Sequence, residues 1–418
     1  MNSSSTYRHV AAGTIGNVLE FYDFAVYGYF SVSIGQTFFP HHNPVAQVLA
    51  AFGVFGVGFV VRPLGGLLGG FIGDRYGRRA ALTFSVAAMA VPTFLVGVLP
   101  GYHTLGMAAP ILLILLRVIQ GLSVGGEYTT SFIFLVENAP PGRAGLVGAV
   151  AGSGAIAGML MGSGVGALMA SLMSPDDLHA WGWRVAFVLG LAVGLTGYLL
   201  RRGVQETHVP SPSAHRPLVE VFQNNKRLLA RLAGLPAYGA VTLYLMFLYI
   251  VAWLQLIDGV APERALSMNT KSMIALIPVT LAAGWLSDRV GRKPVLLASM
   301  VLGLVGAVPF LWLVHHPDPS MVRLGQLGFV LALGGALGVQ PSLLVEATPR
   351  AIRCTAIALG FNLSAGLLGG LAPLAATWLV ERTTMDLSPA YLVMAAALVS
   401  IVAVLAFKET NPVTARRA

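Results

Sequence analysis

The chain has 418 residues, of which 56% are hydrophobic and only 10% are charged, and its formal net charge is +9. Soluble domains carry about 25% charged residues, so this composition excludes an ordinary soluble enzyme and indicates a protein solvated by lipid. Cys354 is the only cysteine, which excludes an intrachain disulfide and a thiolate metal site. We predict no metal and no cofactor.

Apolar segments of about 20 residues, long enough to cross a bilayer as α-helix, recur along the whole chain. The sequence therefore predicts an all-α membrane protein with twelve transmembrane helices. The predicted spans are 10–36, 47–73, 80–99, 108–136, 144–172, 183–201, 229–256, 270–287, 294–314, 322–345, 354–380 and 389–407. Glycines spaced four residues apart, such as Gly158, Gly162 and Gly166, predict close helix packing.

One polar turn between two apolar helices occurs twice. The segment Gly70-Phe-Ile-Gly-Asp-Arg-Tyr-Gly-Arg-Arg-Ala80 recurs, 214 residues later, as Gly284-Trp-Leu-Ser-Asp-Arg-Val-Gly-Arg-Lys-Pro294. Because this offset is close to half of the chain, the repeat favours two similar halves over one domain with a chance match. The predicted organisation is an N-terminal six-helix bundle at 1–201, a cytoplasmic linker at 202–228 and a C-terminal six-helix bundle at 229–418.

A second repeated pair of charged residues supports the duplication. Glu137 and Arg143 follow one apolar span, and Glu346 and Arg353 stand in the corresponding place about half a chain later. Both pairs lie on the side of the membrane that carries the repeated polar turns. They are therefore candidates to act together with those turns.

The basic residues indicate the orientation of the chain. With twelve spans, 19 of the 26 Lys and Arg residues fall on the side that holds both termini, and five fall on the other side. The positive-inside rule assigns the basic side to the cytoplasm. The positive charge thus reflects membrane topology, and no nucleic acid partner is predicted.

Five charged residues lie well inside predicted spans, all in the first half of the chain. A charge near the bilayer centre is costly, so such residues usually face a cavity or one another and mark a transport pathway. The alternative is a buried ion-pair network that only fixes helix packing. The five residues are Glu20, Asp23, Arg62, Arg117 and Glu127.

Helical spacing places these charges on polar faces. The first helix carries Asn17, Glu20, Asp23 and Tyr27 on one face, and the fourth carries Arg117, Gln120 and Glu127. We expect these faces, with Arg62 beside them, to form a charged wall of a central cavity. The second half offers neutral candidates instead, namely Tyr249, Gln340 and Asn362. Tyr238, Tyr244, Trp253 and Gln255 of the seventh helix are further candidates. For the aromatic residues of that helix, Tyr249 included, the alternative is an interfacial belt.

Five segments together resemble the metabolite:proton symporter family of the major facilitator superfamily, whose signature loop the repeated turn also resembles. They are Gly16-Asn-Val-Leu-Glu-Phe-Tyr-Asp-Phe24, Arg62-Pro-Leu-Gly-Gly66, Arg117-Val-Ile-Gln-Gly121, Gly125-Gly-Glu127 and Trp181-Gly-Trp-Arg184. Similar proteins include citrate and tricarballylate carriers, α-ketoglutarate and shikimate permeases and proline/betaine transporters. The resemblance implies two pseudo-symmetric bundles, a site at the bilayer midplane and alternating access.

The resemblance also implies roles for particular residues. Asp23 and Arg117 occupy the positions of a proton-coupling pair in related symporters, and Glu20 is a further candidate for proton coupling. The predicted substrate-binding residues are Arg62, Arg117, Tyr27, Gln120, Glu127, Tyr249, Gln340 and Asn362. The predicted cytoplasmic gate consists of Asp74, Arg75, Arg78, Arg143, Asp288, Arg289, Arg292 and Arg353.

The function predicted from these residues is proton-coupled import of a small organic anion across the bacterial inner membrane, by a monomer that binds substrate, proton and lipid. Arginine suits this substrate because it binds carboxylates through paired, charge-assisted hydrogen bonds. One alternative is a zwitterion such as proline or betaine, held by the aromatic residues of the second half through cation–π contacts. Others are an exporter of the same fold and a membrane sensor. An enzyme is not predicted, since no nucleophile–base or metal spacing occurs.

Overall fold

The structure is a computed structural model of the chain, and it describes residues 17–18, 20–40, 43–66, 68, 72, 78–201 and 217–410. Within these ranges all regular secondary structure is helical. Ten helices of this part of the chain are long and apolar enough to cross a membrane. The first helix and a third helix with a shorter apolar stretch, Phe84–Val98, bring the number to the twelve that the sequence predicts.

The twelve membrane helices are numbered in chain order. Their bounds are 20–38 with a turn at residue 30 for α1, Pro44–Gly66 for α2, Arg78–Val98 for α3, Ala108–Glu137 for α4, Ala144–Leu172 for α5, Trp183–Arg201 for α6, Lys226–Leu256 for α7, Pro262–Val290 for α8, Arg292–Val314 for α9, Pro319–Ala347 for α10, Arg353–Thr383 for α11 and Pro389–Ala406 for α12. A short helix, Pro217–Asn224, precedes α7.

Where both ends of a helix are described, the observed bounds lie close to the predicted ones, except that α8 begins at Pro262 instead of residue 270. Hydropathy locates only the apolar part of a helix. The backbone hydrogen bonds of α8 continue into a polar first turn that contains Glu263, where proline is well tolerated because its missing amide hydrogen would be unpaired anyway.

Several helices of the described part of the chain depart from regular α geometry, in addition to α1 with its turn at residue 30. A turn at Gly125 and Gly126 divides α4 into Ala108–Val124 and Glu127–Glu137. Wider π-helical turns occur in α7, at Leu245–Tyr249, and in α11, at Leu363–Gly369. Such turns are common near functional sites because they redirect side chains within a helix.

The chain forms two compact units. The first takes its described residues from Met1–Tyr128, Gly158–His215 and Val251–Ser267, and the second from Thr129–Ala157, Arg216–Ile250 and Met268–Ala418. Each unit thus draws on both halves of the sequence. The predicted division into bundles at a linker over 202–228 stays a prediction.

Glycine contacts hold α1 against α5 in the first unit. A Cβ added at Gly158 would lie 2.5 Å from the carbonyl oxygen of Val18, and one at Gly162 would lie 3.2 Å from the Cβ of Ala25. Small residues let two backbones approach closely, as the four-residue spacing predicts. The consequence is a fixed position for the polar face of α1.

Candidate functional site

The most deeply buried ion pair of the first unit joins α1 to α4. Arg117 Nη1 donates to Asp23 Oδ2 at 2.6 Å, and both side chains are buried, with 1% and 0% of their surfaces exposed. An isolated charge at such a site is very costly, whereas a paired charge with further hydrogen bonds is tolerated. Each of the two charges is therefore balanced by the other inside the protein.

Two neutral residues complete the contacts of the Asp23 carboxylate. Its Oδ1 accepts from Thr93 Oγ1 of α3 at 2.6 Å and from Gln120 Nε2 of α4 at 2.9 Å. Gln120 Nε2 also contacts Thr93 Oγ1 at 2.9 Å. Side chains of α3 and α4 thus donate to one carboxylate of α1, and both of its oxygens have partners.

The other face of Arg117 is covered by an aromatic ring. The guanidinium carbon lies 3.8 Å from the ring centre of Tyr27, whose hydroxyl donates to the carbonyl oxygen of Ala51 at 3.0 Å. Arginine stacks favourably on aromatic rings when water is excluded. Asp23 and Tyr27 are one turn apart on α1, so one helix holds the cation through a charge and a π face.

A second ion pair lies one turn away along α1. Arg62 Nη2 of α2 donates to Glu20 Oε1 at 2.8 Å, and both side chains are almost fully buried. The Arg62 guanidinium carbon is 5.6 Å from the ring centre of Phe24 and 5.1 Å from that of Phe59. The two pairs together hold two acids and two bases, so their formal charges sum to zero.

Close approach of α2 and α4 positions both arginines. A Cβ added at Gly125 would overlap the backbone nitrogen of Gly66 and the carbonyl oxygen of Arg62, and one at Gly58 would lie 3.3 Å from the carbonyl oxygen of Arg117. Glycine at these positions removes the side chain that would separate the helices. The arginine backbones therefore stand at the crossing of the two helices.

The structure thus brings together, in the first unit, six residues that the sequence singles out, namely Glu20, Asp23, Tyr27, Arg62, Arg117 and Gln120. Thr93 was missed by the sequence analysis. Its signal in the sequence is a hydroxyl residue beside Pro92 in the apolar part of α3. Glu127 begins the second part of α4, and its side chain lies outside the described part of the structure.

The candidates of the second unit are buried. Tyr249 closes the π-helical turn of α7, and Gln340 precedes a proline within α10. Asn362 precedes the π-helical turn of α11 and donates from Nδ2 to the carbonyl oxygen of Ala358 at 2.9 Å. All three side chains are buried inside the protein. Their role in substrate binding stays a prediction.

The aromatic residues of α7 do not form an interfacial belt. Tyr238, Tyr244 and Trp253 have at most 3% of their surfaces exposed. A belt residue must reach the boundary between lipid and water, which a side chain enclosed by protein cannot do. The reason is the position of α7, which is buried along nearly all of its apolar part, whereas most of the apolar part of α8 is not buried.

An ionic network surrounds the second copy of the repeated turn. Arg292 Nη1 donates to Asp288 Oδ1 at 2.7 Å, and Arg292 Nη2 donates to Glu346 Oε1 at 2.9 Å. Asp288 in turn accepts from the backbone amides of Gly145 and Leu146 at 2.7 and 2.9 Å. A carboxylate at the start of a helix is stabilised by the free amides and by the helix dipole. Asp288 therefore connects α8 to the first turn of α5.

The remaining predicted gate residues differ in their contacts. Arg353 Nη1 forms an ion pair with Glu137, and its Nε donates to the carbonyl oxygen of Thr348 at 3.0 Å. Arg143 and Arg289 are exposed, and Arg289 stacks on Trp285. Asp74 and Arg75 lie outside the described residues, as does the side chain of Arg78.

A residue near the end of α12 belongs to the same network and was missed from the sequence. Glu409 accepts from the backbone amides of Arg292 and Lys293 at 2.9 and 3.0 Å, and so caps α9. Lys293 Nζ donates to the carbonyl oxygen of Phe407 at 2.7 Å. The sequence offers no signal for this contact, because an acid after the last apolar span resembles any solvated charge.

No cluster of three or more potential metal ligands occurs among the described residues. The contacts of the first-unit site are ion pairs, hydrogen bonds and contacts between arginine and aromatic rings. Such a site can bind charged groups.

Comparisons with known proteins agree with this description. Residues 10–209 match the family model for sugar (and other) transporters, and residues 265–418 match the model for the Major Facilitator Superfamily. The Glycine betaine/proline/ectoine/pipecolic acid transporter OusA of Dickeya dadantii is 36% identical, over 96% of this chain and 83% of that protein. The Proline/betaine transporter of Escherichia coli is 35% identical, over the same shares of the two chains.

Solved structures support the same fold. The crystal structure of a D-xylose-proton symporter has a TM-score of 0.78 to this chain at 18% identity, and covers 97% of this chain and 99% of its own. The proton:xylose symporter XylE bound to 6-bromo-6-deoxy-D-glucose has a TM-score of 0.75 at 19% identity, with 98% and 97% covered. Identities this low show a shared fold and no more.

The fold and the family models define a multi-pass membrane transporter of the major facilitator superfamily, and not an enzyme. The chain belongs, within that superfamily, to the family that contains the bacterial proline/betaine transporters. The family membership predicted from the five sequence segments is thereby confirmed.

Proposed function

We propose that this protein is a proton-coupled symporter of a small zwitterionic solute of the proline or betaine kind, working by alternating access in the bacterial inner membrane. The observation that carries the proposal is the buried group of two acids and two arginines, in which every charge has a partner of opposite sign. The transported substrates in the names of the relatives support the same class. A monomer with cytoplasmic termini remains part of the proposal.

The organic anion predicted from the sequence is not supported. That prediction took Arg62 and Arg117 as the groups that bind the carboxylate of the substrate, and in the structure each of them is paired with an acid of the protein. An entering anion would have to take an arginine from its acid and leave that acid unpaired in a dry site, which is costly. A zwitterion offers a carboxylate to the arginine and a cation to the acid, so no charge loses its partner.

Proton coupling is proposed at Asp23 and Arg117. Protonation of Asp23 would neutralise the acid and weaken its attraction to Arg117, while Thr93 and Gln120 could still bond a neutral carboxyl group. A pair that opens on protonation changes the contacts between α1 and α4. Coupling requires such a link, because a ligand shifts a conformational equilibrium only through contacts that differ between the two states.

The network of Asp288, Arg292, Glu346, Arg353 and Glu137 is proposed as the cytoplasmic gate. Its bonds connect the ends of α5, α8, α9 and α10. A further pair joins Arg353 at the start of α11 to Glu137 at the end of α4. Several charge pairs that break together give a gate two discrete arrangements instead of a gradual opening. Opening of this network would release substrate to the cytoplasm.

Uptake into proteoliposomes tests the proposal. The panel contains labelled betaine, proline, citrate and α-ketoglutarate, each with and without an inward proton gradient. We expect accumulation of betaine or proline that requires the gradient, and none of the two acids. Gradient-driven accumulation of citrate or α-ketoglutarate, with betaine and proline not transported, would contradict the proposed substrate class.

A further inference from the structure

The two buried ion pairs differ in how completely their polar atoms are bonded. Asp23 has partners at both oxygens, from Arg117, Thr93 and Gln120. Glu20 uses only Oε1, and Glu20 Oε2 and Arg62 Nε meet no hydrogen-bonding group in the described part of the chain. Both atoms are buried, and a buried polar group without a partner costs free energy.

Only one of these two pairs therefore has both an open acceptor and an open donor. Arg117 also has unbonded donors at Nε and Nη2, but its acid has no free oxygen, so that pair can receive a negative group and not a positive one. The pair of Glu20 and Arg62 can receive both. A zwitterion needs one acceptor and one donor a few ångströms apart.

The surroundings of this pair suit a small cationic group with apolar substituents. Phe24 and Phe59 lie beside the Arg62 guanidinium, and the two rings are 4.5 Å apart between centres. Phe21 and Tyr128 form an edge-to-face pair on the same part of α1, with ring centres 5.5 Å apart. Methyl groups on a nitrogen pack well against aromatic rings, and a positive nitrogen is attracted to their faces.

We infer that Glu20 and Arg62 are the specificity-determining residues for the substrate, with Arg62 binding its carboxylate and Glu20 binding its cationic nitrogen. This inference rests on the proposed function and separates two roles, since it assigns substrate recognition to Glu20 and leaves proton coupling to Asp23. In the ion pair of Glu20 and Arg62, each residue supplies the charge that the substrate would bring.

Two ligands of equal shape test the role of Glu20. Betaine and tert-butylacetate have the same shape and the same carboxylate. Tert-butylacetate has a neutral carbon atom where betaine has its charged nitrogen. Binding of each to the purified full-length protein is measured by calorimetry, for the wild type and for Glu20→Gln. We expect the wild type to prefer betaine, and the variant to lose about tenfold or more of that preference, because the quaternary nitrogen is attracted to Glu20 by opposite charge.

The direction of the change follows from charge. Glu20→Gln leaves Arg62 without an acid, so the site keeps its attraction for a carboxylate and loses its attraction for a cation. Binding of tert-butylacetate should therefore be retained or strengthened while binding of betaine falls. A change that only loosened the packing would weaken both ligands alike and leave their ratio unchanged, which would overturn the inference.

Further variants keep the test decisive. Glu20→Asp keeps the charge but shortens the side chain, and should weaken betaine more than tert-butylacetate even if Glu20→Gln fails to fold. Asp23→Asn should lose gradient-driven accumulation and keep the wild-type ratio of the two affinities. If Glu20→Gln instead kept that ratio and lost only accumulation, Glu20 would be a coupling acid and the inference would be wrong. A wild type that binds neither betaine nor proline would refute the proposed function itself.

Discussion

Asp288 accepts a hydrogen bond of 2.7 Å from the backbone amide of Gly145, and this bond attaches the end of α8 to the start of α5. Its other oxygen accepts from the amide of Leu146. The two amides are among the first of α5, which have no partner within their own helix. One acid of the repeated turn thus satisfies donors that would otherwise be unpaired.

The first prediction concerns this contact. Asp288→Ala removes both acceptors, and a bond to a charged group contributes about 1.5–3 kcal/mol. We therefore expect the Gly145 and Leu146 amides to exchange their hydrogens about tenfold faster or more, measured by hydrogen exchange and mass spectrometry. The neighbouring variant Arg289→Ala is the control, because that side chain is exposed and stacks only on Trp285. Equal exchange in both variants would show that Asp288 does not hold α5.

The second prediction concerns coupling. Asp23→Asn cannot take up a proton, so we expect proteoliposomes with this variant to exchange labelled for unlabelled betaine but not to accumulate it along a proton gradient. The variant also leaves Arg117 without a counter-charge, which costs about 3–5 kcal/mol at a buried site, so its thermal stability should fall. Accumulation by Asp23→Asn at the wild-type level would remove Asp23 from the coupling mechanism.

The third prediction separates the two contacts of Tyr27. Tyr27→Phe keeps the ring beneath Arg117 and loses only the hydrogen bond to Ala51, which contributes about 1 kcal/mol. Tyr27→Leu also loses the cation–π contact, worth about 2 kcal/mol when water is excluded. We expect the leucine variant to have a clearly lower unfolding temperature in detergent than the phenylalanine variant. Similar temperatures for the two would mean that the stacking contributes little.

The fourth prediction uses two adjacent glycines. Gly125→Ala would place a methyl group against the backbones of Gly66 and Arg62, whereas a Cβ at Gly126 meets nothing within 4 Å. Overpacking costs about 1–3 kcal/mol, so Gly125→Ala should lower the thermal stability. It should also impair transport, because separating α2 from α4 displaces Arg62. Gly126→Ala is the control, and an equal effect of the two variants would contradict the close helix crossing.

The fifth prediction concerns the turn between α8 and α9. Gly291 has φ 109°, and a Cβ there would lie 2.9 Å from Glu409 Oε2. This backbone region costs about 1–3 kcal/mol for other residues, so Gly291→Ala should lower the unfolding temperature. Gly259→Ala is the control, because Gly259 has a positive φ of 63° but open space around it. Glu409→Ala removes the cap of α9 and is destabilising by itself. If the methyl group clashes with Glu409, the double variant should lose less stability than the two single variants added together, whereas additive losses would assign the effect of Gly291→Ala to the backbone alone.

The sequence by itself determined the fold. In lipid every backbone polar group must be bonded within the segment, so a long apolar run has to be a helix. For this reason Ala144–Leu172 begins and ends where hydropathy predicts. The repeated polar turn identified the superfamily, and the cost of burying charge singled out Glu20, Asp23, Arg62 and Arg117.

The pairing of those charges was decided only by the tertiary structure. Glu20 and Asp23 are one turn apart on α1. The resemblance to related symporters pairs Asp23 with Arg117, but nothing in the spacing of the residues assigns Glu20 to Arg62. Pairing depends on distances of a few ångströms, which the helix crossing at Gly125 sets. The sequence analysis took the two buried arginines to favour an anionic substrate. Whether a buried arginine attracts an anion or a zwitterion depends on the acid beside it, and neighbours in space are not neighbours in sequence.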